Sequence, residues 1–174
     1  AAAFGYLRVE EVRREQEAVK RDVEYAQQRL RLRLIERQEQ MMRLARDISN
    51  RDADAEQFAS RAEALVAQNP ELVAIYWIDD HRRVLRGEIS PSMMLPRDWL
   101  SQGVLTPSDT LTGYDLARDL MQPVYSQPIA AKDADPVLQL HVPLTTKGQY
   151  AGELLIEYSV DGLLRYGVPS EILA

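Results

Sequence analysis

A long stretch without glycine or proline, from Tyr6 to Ile48, constrains the fold more than any other feature of this sequence. Arginine, glutamate, glutamine, leucine and alanine dominate it, and all of these are good helix formers. The stretch predicts one helix of roughly 65 Å. Because a domain built from 174 residues is much narrower than that, part of the helix must project or pair with another chain.

Apolar residues recur along this helix at steps of three, four or seven, which is typical of a narrow, coiled-coil-like stripe. The stripe consists of Val12, Val19, Val23, Ala26, Leu30, Leu34, Met41, Ala45 and Ile48. Its second half is expected to pack on the chain's own domain. We expect its first half to pair with the same helix of a second subunit, giving a homodimer that charge at Val19 or Val23 would weaken.

Residues 53–90 predict a second helix followed by a β-hairpin. Asp54 and Gln57 have the spacing of a capping box, and Asn69 with Pro70 ends the helix. The segment ELVAIYWID is β-branched and aromatic, and RRVLRGEI follows it after an acidic turn. Together they predict the first two strands.

Residues 90–120 carry four turn signals, so we expect an irregular segment there that covers one face of a sheet, with a short helix between Pro96 and Gln102. Three strand candidates follow, with a hairpin turn at Lys147 and Gly148 between the last two. They are MQPVYSQPI, VLQLHVPL and GQYAGELLIEYSV. The prolines of the first segment favour a position at the sheet edge. The predicted class is α+β, a long N-terminal helix followed by a five-stranded, mostly antiparallel sheet with flanking helices.

Charge argues against a nucleic-acid partner. Residues 1–52 hold 12 basic and 10 acidic side chains, whereas residues 53–174 hold 9 and 17, and the whole chain has a net charge of -6. A globular part with this sign does not attract phosphate backbones. The absence of cysteine excludes a disulfide framework and thiol chemistry.

No sequence motif for catalysis is present. There is no nucleophile elbow, phosphate-binding glycine loop or His-Glu-x-x-His pattern, so we expect neither an enzyme nor a cofactor. Asp79, Asp80 and His81, with His141, are candidate metal ligands. Turns favour aspartate for backbone reasons, and two distant histidines lack the close spacing of a metal motif, so no metal is predicted.

The order of these pieces resembles the PAS-like extracytoplasmic sensor domains of bacterial receptors, called PDC or Cache domains, including those of sensor histidine kinases. The residues that carry the resemblance are NPEL, AIYWIDDHRRVL and PLTTKGQYAGELLIEYSVDGLL. The resemblance implies a PAS-like periplasmic domain, anchored by a membrane helix before residue 1. Such a domain binds a small molecule and passes a conformational change to a cytoplasmic kinase.

The implied organisation has three parts: residues 1–52 as a signalling and dimerisation helix, 53–166 as the sensor domain, and 167–174 as the start of a following element. Gly167 and Pro169 interrupt the chain where single-domain receptors usually run straight into a membrane helix. The segment SEILA predicts the start of another helix, and a further domain is therefore an open alternative.

A ligand pocket in such a fold would lie between the sheet and the irregular segment. The candidate ligand-binding residues are Arg118, Tyr125, Tyr114, Arg86, Tyr76 and His141. Arginine can bind a carboxylate through two parallel hydrogen bonds, which makes a carboxylate-bearing ligand the first candidate. Arg118 is favoured because it lies in the variable segment, and Arg118→Ala is expected to abolish binding without unfolding the protein.

Each candidate also has a purely structural interpretation. Tyr76 and Tyr125 can be core or edge-strand residues, Arg86 a solvated strand residue, and His141 a hydrogen-bonded histidine inside the sheet. The alternative function is accordingly a structural or protein-interaction module that binds no small molecule.

Overall fold

The computed structural model describes residues 2–92, 98–126, 128–129 and 135–167. The helices are α1 (Ala2–Ser49), α2 (Ala55–Gln68), α3 (Asp98–Gln102), α4 (Ser108–Leu120) and α5 (Val160–Gly167). The strands are β1 (Leu72–Asp79), β2 (Val84–Ile89), β3 (Val124–Tyr125), β4 (Val137–Thr146) and β5 (Gln149–Ser159). The α+β class is confirmed, and the described strands form one antiparallel sheet in the order β2-β1-β5-β4-β3.

Local sequence signals set several of these boundaries. The predicted capping box is confirmed, since Asp54 Oδ1 accepts from the backbone N–H of Gln57 and Gln57 Oε1 accepts from that of Asp54. Lys147 and Gly148 both have positive φ, as a tight two-residue hairpin requires. The strand after Met121 is short and lies at the sheet edge, as its prolines predict.

Helix α1 divides into two halves with different surroundings. In the second half Met41, Ala45 and Ile48 are buried in the core between the helices and the sheet, as predicted. In the first half Val12, Val19 and Val23 are about half exposed. No described helix is both long enough and apolar enough to span a membrane.

A buried ion pair joins α1 to the start of β1. Arg33 Nε and Arg37 Nε donate to Oε1 of Glu71 at 3.0 and 2.9 Å. Burial alone would raise the pKa of Glu71, but the hydrogen bonds from Arg37, its own backbone and Arg33 outweigh it, so the pKa is lowered. Gly162 of α5 packs against Glu71, where a Cβ would lie 3.0 Å from its Cα. The ion pair therefore lies where α1, β1 and α5 meet.

The expectation of an irregular segment over residues 90–120 was wrong for its last part, because residues 108–120 form α4. Two threonines and Gly113 give this stretch a low intrinsic helix propensity. Packing overrides that propensity, since Thr110, Gly113, Tyr114 and Ala117 are buried. The turn signals at Gly103 and Pro107 mark the approach to α4. The predicted short helix is present as α3, while residues 93–97 lie outside the described residues.

Candidate functional site

The two faces of the sheet differ chemically, because side chains alternate between faces along each strand. The face towards α1 and α2 is apolar and carries residues such as Leu140, Val142, Leu154 and Ile156. The opposite face lies under α4 and carries buried polar side chains. We call it the α4 face, and these side chains include Gln139, His141, Glu153 and Glu157.

Strand register brings the polar residues together. His141 of β4 pairs with Leu155 of β5, which pairs with Tyr76 of β1. Glu153 and Glu157 lie two residues on either side of Leu155 and so point to the same face. These cross-strand partners and the two glutamates beside them therefore form one continuous surface beneath α4.

A buried hydrogen-bonded group occupies the middle of the α4 face. His141 Nδ1 lies 2.6 Å from Glu153 Oε1, and the hydroxyl of Tyr150 donates to Glu153 Oε2 at 3.1 Å. Burial raises the pKa of Glu153 to about 9 and lowers that of His141 to about 4. Burial also raises the pKa of Tyr150, and the nearby carboxyl of Glu153 raises it further. At neutral pH this group is therefore uncharged.

The proton count leaves a donor on the outer nitrogen of His141. A protonated Glu153 donates to Nδ1, and the neutral imidazole then carries its own proton on Nε2. If the shared proton moves to Nδ1, Nε2 still keeps its proton. Nε2 is fully buried and has no hydrogen-bond partner within the described residues. An unsatisfied buried donor costs about 1–3 kcal/mol, so this one calls for an explanation.

Gly113 of α4 covers this nitrogen. A Cβ at position 113 would lie 2.4 Å from Nε2 of His141, closer than atoms can approach. Only glycine therefore lets α4 pack this closely over the imidazole. The same glycine explains part of the low helix propensity of the segment, which contact with the sheet offsets.

A second polar connection links α4 to the sheet nearby. Thr110 Oγ1 donates to Gln139 Oε1 at 3.0 Å, and Gln139 Nε2 donates to Glu157 Oε2 at 3.4 Å. All three side chains are buried. This connection fixes the N-terminal part of α4 above the edge of the α4 face.

The other side of α4 is held by the turn between β1 and β2. The hydroxyl of Tyr114 donates to the carbonyl oxygen of Asp79 at 2.7 Å. Arg82, in the same turn, pairs with Asp115 at 3.1 Å and lies over the Tyr114 ring. These contacts position α4 from the end of the sheet.

A groove opens between α4 and β3, next to the buried group. Its volume is about 420 Å³, within the range of small-molecule sites. Val124, which pairs with His141 across the strands, lies in its wall, as does Gly113. The remaining lining includes Thr112, Leu116 and Ser126, so the groove is mixed apolar and polar.

Three of the six sequence-predicted residues come together at this site. Tyr76 and His141 lie on the α4 face, and Tyr114 lies on the helix above it. Tyr76 is fully buried and packs edge-on against Trp99. Whether any of the three contacts a ligand stays a prediction.

The other three lie apart from the α4 face. Arg118 is on the exposed side of α4, where it pairs with Asp115 and Asp119. Arg86 is exposed on β2, opposite Trp77. Tyr125 borders the groove, but its hydroxyl donates to Gln38 of α1, on the other side of the sheet.

The acidic turn considered as a metal site has a structural role. Asp79 Oδ1 accepts from the backbone N–H groups of His81 and Arg83, which is a common use of aspartate in turns. His81 is exposed, whereas His141 is buried in the sheet. The described residues contain no cluster of three or more potential metal ligands.

Sequence reasoning missed Glu153, Glu157, Tyr150, Gln139 and Thr110. The signal was available for the two glutamates. They lie four residues apart within the apolar strand segment ELLIE, so both must point to one face of a strand expected to be central. Buried carboxyls in a central strand are rare without partners, and they mark this face as special.

Comparison with known proteins shows similarity of fold. No family model matches the chain, and no curated protein matches it. Among solved structures, the extracellular domain of the histidine-kinase candidate soHK1S-Z6 matches with a TM-score of 0.69 at 16% identity. That match covers 95% of this chain and 67% of the other.

Chemoreceptor domains match over similar lengths. The ligand-binding domain of the Pseudomonas aeruginosa amino-acid chemoreceptor PctC, in complex with GABA, gives a TM-score of 0.58 at 14% identity. That match covers 86% of this chain and 63% of the other. An extracellular ligand-binding receptor from Desulfohalobium retbaense also gives 0.58, at 15% identity, covering 82% of this chain and only 26% of the other.

These similarities define the class to which the fold belongs. The chain has the fold of extracellular PDC or Cache-type sensor domains, as the sequence resemblance implied. It spans between 26% and 63% of the length of the receptor chains from Desulfohalobium retbaense and Pseudomonas aeruginosa.

Proposed function

We propose that this chain is the extracytoplasmic ligand-sensing domain of a membrane-bound signal-transducing receptor. The observation that carries the proposal is the α4 face, where buried polar groups lie beneath a helix and beside a groove of about 420 Å³. Residues 53–166 form the sensor domain and residues 1–52 the signalling helix. Residues 167–174 are predicted to start a following element, and 168–174 lie outside the described residues. The domain lies in the periplasm, and the whole protein is anchored in the inner membrane.

The ligand is a small molecule, with a carboxylate as the first candidate group. Solved domains of the same fold support this choice, since PctC binds GABA and PctB of Pseudomonas aeruginosa binds L-Arg. The separation of the two sheet faces also supports a small-molecule ligand. The apolar face attaches the domain to α1, and the α4 face is left to recognise a ligand.

A sensor histidine kinase is the receptor class that we favour. The match to soHK1S-Z6, with a TM-score of 0.69 over 95% of the chain, supports it, whereas the match to PctC reaches 0.58. Autophosphorylation of the full-length protein with ATP tests this assignment. A full-length protein without such activity would favour a chemoreceptor.

A thermal-shift screen against amino acids, organic acids, amines and metal ions tests ligand sensing, because a ligand that binds only the folded state raises the melting temperature. We expect a dose-dependent rise with at least one small molecule. Leu116→Glu, in the wall of the groove, should abolish it. Leu120→Glu is the matched control, since Leu120 is exposed on the same helix and outside the groove lining.

The alternative function, a protein-interaction module, has one supporting observation in the exposed apolar residues of α1. No melting shift with any compound would favour that alternative. A shift that both Leu116→Glu and Leu120→Glu retain would show that a ligand binds elsewhere.

The first half of α1 supports a homodimer as part of the proposal. Val12, Val19 and Val23 continue the spacing of the apolar residues that pack on the sheet further along the helix, yet they are 47%, 61% and 50% exposed. Two such helices side by side can convert a small rearrangement at a ligand site into a movement at the membrane.

Sedimentation over a range of concentrations tests the dimer. Val19→Glu should weaken it, while Gln28→Glu, which adds the same charge on the opposite side of the helix, should not. A protein that stays monomeric at high concentration would contradict the dimer and leave ligand sensing untouched.

A further inference from the structure

The buried donor on His141 is not explained by the fold. With Glu153 protonated, as its burial favours, Nε2 carries a proton whichever side of the Glu153 hydrogen bond the shared proton takes, and it has no acceptor within the described residues. The large majority of buried polar side-chain atoms in folded proteins have a hydrogen-bond partner. Here one nitrogen is held by Glu153 and Tyr150, which fixes the ring so that the other points at α4.

The position of Gly113 connects this donor to the groove. Gly113 lies directly against Nε2 and also forms part of the groove wall. Val124 extends the same wall from the sheet side, as the cross-strand partner of His141. A molecule in the groove therefore reaches Nε2 only if α4 moves outward at Gly113.

The lining chemistry limits what such a molecule looks like. Leu116, Val124 and Ile129 offer apolar contact, and a neutral N–H donor recognises an oxygen acceptor. A protonated amine has no lone pair for that donor. Asp109 lies at the groove as well, so polar groups other than the acceptor have a place near the surface.

We propose that the groove between α4 and β3 binds a small molecule with an apolar body and a carboxylate or carbonyl oxygen, which accepts a hydrogen bond from Nε2 of His141. Glu153 and Tyr150 are positioning residues that hold the imidazole. Gly113 is the point at which the ligand displaces α4, and this displacement is the first movement of the signal. The inference rests on the proposed ligand-sensing function and names the atom that recognises the ligand.

Nuclear magnetic resonance of protein labelled with nitrogen-15 in its histidine rings tests the proposal without a mutation. The chain has two histidines, and exposed His81 serves as an internal reference. The probes are benzoate, benzamide and benzylamine, which share a ring and differ in the polar group. We expect benzoate or benzamide to shift the His141 Nε2 signal saturably. Benzylamine should leave that signal unchanged, and none of the three compounds should shift the His81 signals. The first two compounds distinguish a carboxylate from a carbonyl.

A matched pair of variants gives a second readout. His141→Phe should weaken binding of the active probe at least about tenfold, the loss expected for one buried hydrogen bond, and His81→Phe should not. If His141→Phe does not fold, the ring signals of the unaltered protein decide. Probe binding that leaves the His141 signals unchanged would overturn this inference and leave ligand sensing standing. The absence of any His141 shift at millimolar probe would overturn it too, while the melting screen tests ligand sensing separately.

Discussion

The two faces of one sheet carry opposite chemistry in this protein. Leu154 and Ile156 of β5 pack into the apolar core under α1, whereas Glu153 and Glu157 of the same strand lie buried under α4. Apolar burial stabilises a fold, while buried carboxyls cost free energy unless they are paired. The comparison indicates that the α1 face holds the domain together, whereas the α4 face costs stability, as the proposed ligand recognition requires.

The largest expected effect comes from the apolar face. Leu154→Ala would leave a cavity where a fully buried side chain packs against α1 and α2, and we expect the free energy of unfolding to fall by about 2–5 kcal/mol. Chemical denaturation measures this loss. A decrease below about 1 kcal/mol would show that the α1 face is less tightly packed than the comparison requires.

Stability against pH tests the uncharged state of the α4 face. The folded pKa of Glu153, about 9, lies above its unfolded value, so its contribution to stability is lost as pH rises towards 9. The folded pKa of His141, about 4, lies below its ordinary value of 6.5, so its contribution is lost as pH falls below 6.5.

The two contributions offset each other between about pH 4.5 and 6.5. We therefore expect the free energy of unfolding to decline by an amount on the order of 3 kcal/mol between pH 6.5 and 9. Glu153→Gln keeps the shape of the side chain and should remove this decline. An unchanged pH profile in that variant would show that Glu153 is ionised in the folded protein.

A smaller effect is expected from the Thr110 connection. Thr110→Val keeps the shape of the side chain but removes the donor to Gln139, so we expect a loss of about 1 kcal/mol. Ser108 is a useful control, since Ser108→Ala removes an exposed hydroxyl at the start of the same helix. Equal losses in the two variants would argue against a role for the buried connection.

The smallest effect is expected at Arg118. Its ion pairs with Asp115 and Asp119 lie in solvent, where such pairs contribute little, so Arg118→Ala should not change stability measurably. Sequence analysis predicts that the same variant abolishes ligand binding. The affinity of Arg118→Ala for the best compound from the melting screen distinguishes the two possibilities. Lost binding supports the sequence prediction, and unchanged binding supports a site confined to the α4 face.

The sequence predicted the elements whose signals are local. The capping box at Asp54, the turn at Lys147 and Gly148, and the stripe on the second half of α1 all depend on neighbours in the chain. Helix α4 could not be predicted in the same way. Its segment has weak helix propensity and becomes helical because Gly113 and Tyr114 pack on a sheet formed by distant residues.

The candidate site was predictable only in part for a related reason. Tyr76, Tyr114 and His141 stood out as unusual residue types in the right segments, and the fold brings them together. Arginine was favoured for its chemistry, but Arg118 turns outward because the inner side of α4 is taken by Gly113 and Ala117. Glu153 required knowing which face of β5 lies under α4.

Hydrogen exchange of backbone amides tests the central claim most directly, using the compound that gives the largest rise in melting temperature. The α4 face predicts altered exchange in residues 108–120 and in β3 and β4 on ligand binding, with residues 55–68 of α2 unchanged. Changes confined to α1 or α2, with α4 and its neighbouring strands unaffected, would contradict the account.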